Sequence, residues 1–245
     1  MTLVRGLQAL VPFAAFLVAA TSSVFGQSRG GDPESAQEIL AAMAQTYASC
    51  KSYQDEGRVI KTFFETDGTR TVEIKFKTAF VRPDRFRFQY TDQDQFKKER
   101  SYIIWRKAGD VKSWWDVMPG IKTNDSLALA LARATGVSSG SAHTIPVLLL
   151  PDETMGRRLT DLLEPRRGAD EAVAGEDCYQ INGYFDAQDR RIPLSIWISK
   201  SRRLVLKIEK TMAFPSFSTK TVTTYNPTIN GVVPEESLMF NAPGE

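Results

Sequence analysis

Histidine and cysteine are scarce: the 245 residues hold one histidine, His143, and two cysteines, Cys50 and Cys178. Zinc and the other transition metals are held mainly by imidazole and thiolate, so no such site can be assembled from this set. A lone imidazole also lacks the partners that make a catalytic site. Charge of one sign is missing too, with 31 Lys and Arg against 29 Asp and Glu. The whole chain therefore has no large field to draw in nucleic acid or anionic lipid. Long apolar runs are absent as well. The stretch from Leu7 to Ala20 is broken by Pro12 and falls short of the roughly 18 residues that a membrane span wants.

Several motifs invite a chemical reading and fail on context. Gly136-Val137-Ser138-Ser139-Gly140 has nucleophile-elbow spacing, but the elbow needs a strand before its serine and a helix after it. Here a helical pattern precedes Ser138, and His143 follows only five residues later. Asp92 and Asp94 resemble the start of a calcium loop, yet Phe96 stands where a third oxygen ligand belongs. Arg85 and Arg87 alternate with aromatics as on an ordinary solvated strand face, so with Arg82 they do not amount to a nucleic-acid footprint. The sequence thus points to no catalytic residue, no metal and no cofactor.

What is present begins with an export signal. MTLVRGLQALVPFAAFLVAATSSVFGQ has one basic residue, an apolar stretch and small residues at Val24 and Gly26, the layout of a leader cut near Gly26; the alternative is a retained anchor. Residues 1–26 read as signal peptide, 27–31 as a disordered tether and 32–245 as one domain in a periplasmic or secreted compartment. In an oxidising compartment Cys50 and Cys178 allow a single intramolecular disulfide; the alternative is two buried thiols behaving as small hydrophobes.

Asp32 and Pro33 read as the start of a helix whose Ile39, Met43, Tyr47 and Cys50 share one stripe. The period then falls to two. Val72, Ile74 and Phe76 alternate with Glu73 and Lys75, and Phe86, Phe88 and Tyr90 alternate with Arg87 and Gln89. One dry and one wet face imply antiparallel strands, and about nine of them are expected to curl toward a barrel. Between two runs of strands, residues 124–164 carry alanine-rich and aliphatic segments read as helices over the dry face. The fold class is α+β: a curved antiparallel sheet forming an incomplete β-barrel, capped by an N-terminal helix and a mid-chain helical insert.

Three of four tryptophans, Trp105, Trp114 and Trp115, fall in one hairpin. Neighbours on a strand face opposite ways, so Trp115 is placed inward with Val111 and Val117, and Trp114 outward. Phe76, Phe86, Phe88, Trp105, Trp115, Leu148 and Leu149 are the residues expected to line an inner cavity; the alternative is plain core.

ILAAMAQTYASCKSYQDEG, VEIKFKTAFVRPDRFRFQY, YIIWRKAGDVKSWWDVMPG and PLSIWISKSRRLVLKIEK are similar, in order and texture, to the periplasmic outer-membrane lipoprotein carrier (LolA-like) superfamily. That superfamily also holds lipoprotein-sorting relatives and periplasmic regulators of envelope-stress sigma factors. The resemblance covers nearly all of the chain after the leader. It implies a half-barrel closed by helices around an apolar cavity, lipid or lipoprotein acyl chains as ligand, and a monomeric carrier or chaperone with no nucleic-acid partner. The alternative role is a sensor that signals to a membrane-protein partner.

Overall fold

The computed structural model describes residues 34–93, 96, 98–187 and 190–243. The expected leader and tether lie outside these residues. Helix α1, Ala36–Ser49, starts three residues later than the sequence suggested. Ser35 is its N-cap, because Ser35 and Glu38 form a reciprocal capping box: the Glu38 amide donates to Ser35 Oγ and the Ser35 amide to Glu38 Oε2. Two orphan donors of the first turn are thereby satisfied. The expected stripe holds, with Ile39, Met43 and Tyr47 buried and Cys50 closing the helix.

Strands β1 (Ser52–Glu65), β2 (Gly68–Val81), β3 (Arg85–Gln93), β4 (Glu99–Lys107), β5 (Asp110–Trp115) and β6 (Met118–Asn124) then form a meander. Three short helices follow: α2 (Leu127–Thr135), α3 (Ser141–Thr144) and α4 (Pro146–Leu149). Strands β7 (Leu163–Arg167), β8 (Glu171–Val173), β9 (Glu176–Ala187), β10 (Arg190–Ser199), β11 (Val205–Ala213), β12 (Ser218–Thr224) and β13 (Thr228–Ile229) precede a final helix α5, Glu235–Leu238. The described residues therefore hold thirteen strands in one sheet, more than the nine or so expected. The later part of residues 124–164, which the sequence places in the helical insert, yields only a 3-10 turn at Leu159–Asp161 before β7 begins.

Strand order is β6-β5-β4-β3-β2-β1-β12-β11-β10-β9-β7, so the first and second runs meet where β1 pairs with β12. The sheet is open and curved, an incomplete barrel. Its inner face carries Val59, Ile74, Phe76, Phe88, Ile104 and Ile196, packed in one core with α1 and the helices of the insert. Each large side chain so buried contributes about 1.5–3 kcal/mol.

Two arginines pin the insert to the sheet. Arg82, after β2, donates from Nε to Cys50 O (2.8 Å) and from Nη2 to Ala48 O (2.5 Å) and Leu149 O (2.8 Å). One guanidinium thus covers carbonyls at the ends of both α1 and α4, where a cation also meets the negative end of the helix dipole. Arg106 on β4, buried on the inner face, donates to Asp84 O at 2.9 Å and pairs with Glu153 of the insert.

Candidate functional site on the inner face of the sheet

The seven residues expected to line a cavity have three fates. Phe76, Phe86, Phe88, Leu148 and Leu149 are at most 3% exposed and belong to the main core. The centre of the half-barrel is filled by their side chains.

Trp105 is a correction. It is opposed to Arg87 across β3 and β4, while its neighbour Ile104 is opposed to core Phe88, so Trp105 faces outward. Its burial comes from the C-terminal segment: Phe240 makes an edge contact with Trp105 (5.3 Å between centroids) and touches Trp114 (5.1 Å). Arg87 fastens that segment by donating to the carbonyls of Glu236 and Met239. Val117, expected inside, is 43% exposed at the β5–β6 turn.

Trp115 does face inward. Tyr90, Tyr102 and Trp115 stand abreast on β3, β4 and β5, with Tyr90 stacked on Tyr102 at 5.7 Å and Tyr102 edge-on to Trp115 at 6.1 Å. Burial raises the Tyr90 phenol pKa above its ordinary value, so the hydroxyl stays neutral. Between this aromatic row and helix α2 lies a pocket of about 320 Å³, with Met118, Lys122, Arg133 and Val137 around it. Small-molecule cavities run from about 300 to 1,000 Å³, so the pocket sits at the small end of that range. Its polar side is ordered: Asn124 donates to Ser113 Oγ at 3.1 Å and accepts from Arg133 at 3.2 Å. Met118 and Val137, 41% and 47% exposed, leave apolar surface at its edge. The sequence reading missed Tyr90, Tyr102 and Met118 as lining residues; the alternation in β3 that placed Phe88 inward places Tyr90 there too.

The expected disulfide is a second correction. Both cysteines are free thiols. Cys50 is in the main core, whereas Cys178 packs with Trp197 and Leu206 in a separate cluster. Cys178 sits three positions from inward-facing Ile181 on β9, an odd spacing that puts it on the outer face. The sheet itself stands between the two sulfurs. Burial pushes both thiols up from their ordinary pKa, which keeps them protonated and unreactive.

Two further features carry charge or chemistry. Asp55 on β1 is buried, accepting from the Tyr53 hydroxyl at 2.8 Å and from the Thr78 amide at 3.0 Å. Burial pushes its carboxyl up to about 7 even though both donors favour the ionised form. Ser138 is fully buried; its Oγ donates to Thr135 O and accepts from the Ala142 amide, which makes it a helix-end fastener. His143 lies in α3 with its Nε2 bonded to Met155 O at 2.9 Å.

No family model matches the chain, and no curated protein does. Solved structures similar to it include an outer-membrane lipoprotein-sorting protein domain from Vibrio parahaemolyticus, at 11% identity and TM-score 0.37 over 82% of this chain and 95% of that one. A LolA superfamily protein from Nitrosomonas europaea is similar at 12% identity and TM-score 0.31, over 85% and 99% of the two chains. MucB, in its complex with the periplasmic part of MucA, is similar at 12% identity and TM-score 0.37 over 84% of this chain and 60% of that one. At these identities and TM-scores the likeness concerns the path of the backbone alone and names neither a family nor a ligand for this chain.

Proposed function

We propose that the protein is exported and binds acyl chains of a lipid or lipoprotein between α2 and the inner face of the sheet, as a carrier or chaperone and not as an enzyme. The observation that carries this reading is the aromatic-walled pocket of Tyr90, Tyr102 and Trp115, left open beside a centre of the inner face that is packed solid. Apolar walls with a few ordered polar groups are what a hydrocarbon ligand with a polar head requires. Lys122 and Arg133 supply cations for an acidic head, and Met118 and Val137 supply a greasy edge for a tail. Among the described residues no helix is long and apolar enough to cross a membrane.

Native mass spectrometry of gently extracted protein tests this. The expected result is an adduct with the mass of an acyl lipid, retained in Phe86→Leu and lost in Trp115→Ala. The Trp115 position is only half buried, so Trp115→Ala leaves the core intact, whereas Phe86→Ala would cost about 3–5 kcal/mol and confuse unfolding with loss of ligand. Wild-type protein that carries no adduct, and that takes up no fluorescent fatty acid when offered one, sinks the reading.

A second reading, a sensor that engages a membrane-protein partner, has its own support. A wider opening, about 670 Å³, lies along the outer face between Glu56, Arg58, Lys75, Lys77, Val173 and Leu206. Its mixed charges and apolar end suit a peptide segment better than a hydrocarbon. Crosslinking from Lys75 to an envelope membrane protein, unaffected by Trp115→Ala, would favour it.

A further inference from the structure

The β1–β2 hairpin runs well beyond the core. On the inner face of β1, Lys61 lies two inward positions past Gly57, which pairs with Phe76. There Lys61 is opposed to Thr221, and Thr221 to Lys210 on β11, so two lysines flank one threonine on three adjacent strands, with the Lys61 ammonium over the Phe63 ring at 4.9 Å. Neither lysine makes an ion pair among the described residues. Burial lowers the pKa of Lys210, and Lys61 lowers it further: the two cations repel each other, and an anion between them would relieve that.

One step nearer the hairpin tip the face turns aromatic. Phe63 stands 6.3 Å from Phe217, which stacks on Phe214 at 4.5 Å, while Phe64 on the other side of β1 is 44% exposed. Arg70 lies over the Phe63 ring at 4.0 Å and Arg190 over Phe214 at 5.5 Å. Next to this cluster the sheet splits. Pro193 has no amide hydrogen to donate, and the β10–β11 ladder ends at Leu194. Beyond it Ile192, Pro193, Thr211 and Met212 line a mainly apolar cleft of about 430 Å³.

We propose that this end of the sheet is a docking edge for a membrane surface rich in anionic phospholipid. Rings at strand tips interleaved with cations match the headgroup layer, where aromatic side chains settle and Lys and Arg meet phosphate. The chain as a whole is close to charge balance, so the attraction is local to the edge. Acids share the edge, Glu65 paired with Arg70 at 3.6 Å, Glu164 with Arg191 at 2.8 Å and Glu209 with Lys220 at 2.8 Å, and Asp67 adds one more at the hairpin tip. The proposal goes beyond acyl-chain binding and does not require the α2 pocket to be filled.

Vesicle co-sedimentation tests it, using the chain from Gln27 onward, which contains the whole core and lacks the apolar N-terminal stretch. Wild-type protein is expected to pellet with vesicles containing about 30 mol % phosphatidylglycerol, to stay in solution with pure phosphatidylcholine, and to be released by salt. The double substitution Lys61→Gln/Lys210→Gln should weaken partitioning about 30-fold. Phe64→Ser, at an exposed position, should weaken it about tenfold with no change in thermal unfolding. The charge-matched control Lys51→Gln/Lys107→Gln, away from the edge, should change it by less than about threefold. Failure to bind anionic vesicles overturns the proposal, as does equal loss in the edge and control variants. Binding of inorganic phosphate that depends on Lys61 and Lys210, without vesicle binding, would reassign the site to a free anion. Because Trp115→Ala should leave vesicle binding intact, failure of the docking edge and failure of the acyl pocket are distinguishable.

Discussion

The Phe76 ring lies across the backbone of Gly57, its directly opposed partner on β1, and fills the space that a side chain at position 57 would occupy. A Cβ there would also come within 2.5 Å of Thr224 O on the other neighbouring strand. Glycine is required at this position for lack of room. The same ring meets Tyr225 edge-on at 5.4 Å, so a displaced Phe76 would disturb the seam that joins the two halves of the sheet.

Gly57→Ala should therefore lower stability by about 1–3 kcal/mol, the usual cost of overpacking. Urea unfolding followed by tryptophan fluorescence measures it. A change under about 0.5 kcal/mol would mean that Phe76 can move aside freely.

Asp55 makes folding depend on pH in an unusual direction. Its carboxyl titrates near 7 when folded, against 3.8 when exposed, so the folded chain holds the proton more tightly than the unfolded one. Its contribution is complete below about pH 4 and is lost as the pH rises through about 7. Unfolding free energy should fall by on the order of 2 kcal/mol between about pH 5 and pH 8. Asp55→Asn should flatten that profile, since an amide can still accept from the Thr78 amide and donate to the Tyr53 hydroxyl oxygen. A stability that rises over the same interval would contradict the assignment.

Arg82→Met keeps the aliphatic stem and removes three charge-assisted contacts to Cys50, Ala48 and Leu149. The expected cost is about 2–4 kcal/mol. Hydrogen exchange should show it unevenly, with amides of α4 and the last turn of α1 opening before those of β1 and β2.

Thiol titration in denaturant should find two reactive sulfhydryls per chain, even in protein purified without reductant. Native protein should react slowly at both, since Cys50 and Cys178 are 2% and 0% exposed. One disulfide-linked species on a non-reducing gel would refute the arrangement of the sheet between them.

Much of the architecture is legible from residue periodicity. The stripe on α1 and the alternation in β2 and β3 each reflect one wet face and one dry face, and the structure places Ile39, Met43, Phe76 and Phe88 as that pattern requires. Alternation fails in β4, where Tyr102, Ile103, Ile104 and Trp105 are all apolar. Both faces are covered there, the inner one by α2 and the outer by Phe240, so hydropathy no longer tells inside from outside. The covering residue is more than a hundred positions away, and no local pattern announces it.

The candidate site was only partly legible for a related reason. Residue type marks a side chain as buried but does not separate a packed aromatic from one beside an opening: Phe86 and Trp115 follow the same rule, and only the position of α2 distinguishes them. The cysteines show the limit of compartment arguments. Two thiols in one chain permit a bridge, but the outward parity of Cys178 on β9 and the inward burial of Cys50 forbid it.

A closed barrel has its diameter fixed by strand number and stagger; a sheet whose terminal strands β6 and β7 never meet has no such constraint. The width of this arc is set instead by what packs inside it, the side chains of α1 to α4 that share its core, so it answers to side-chain volume and not to strand count.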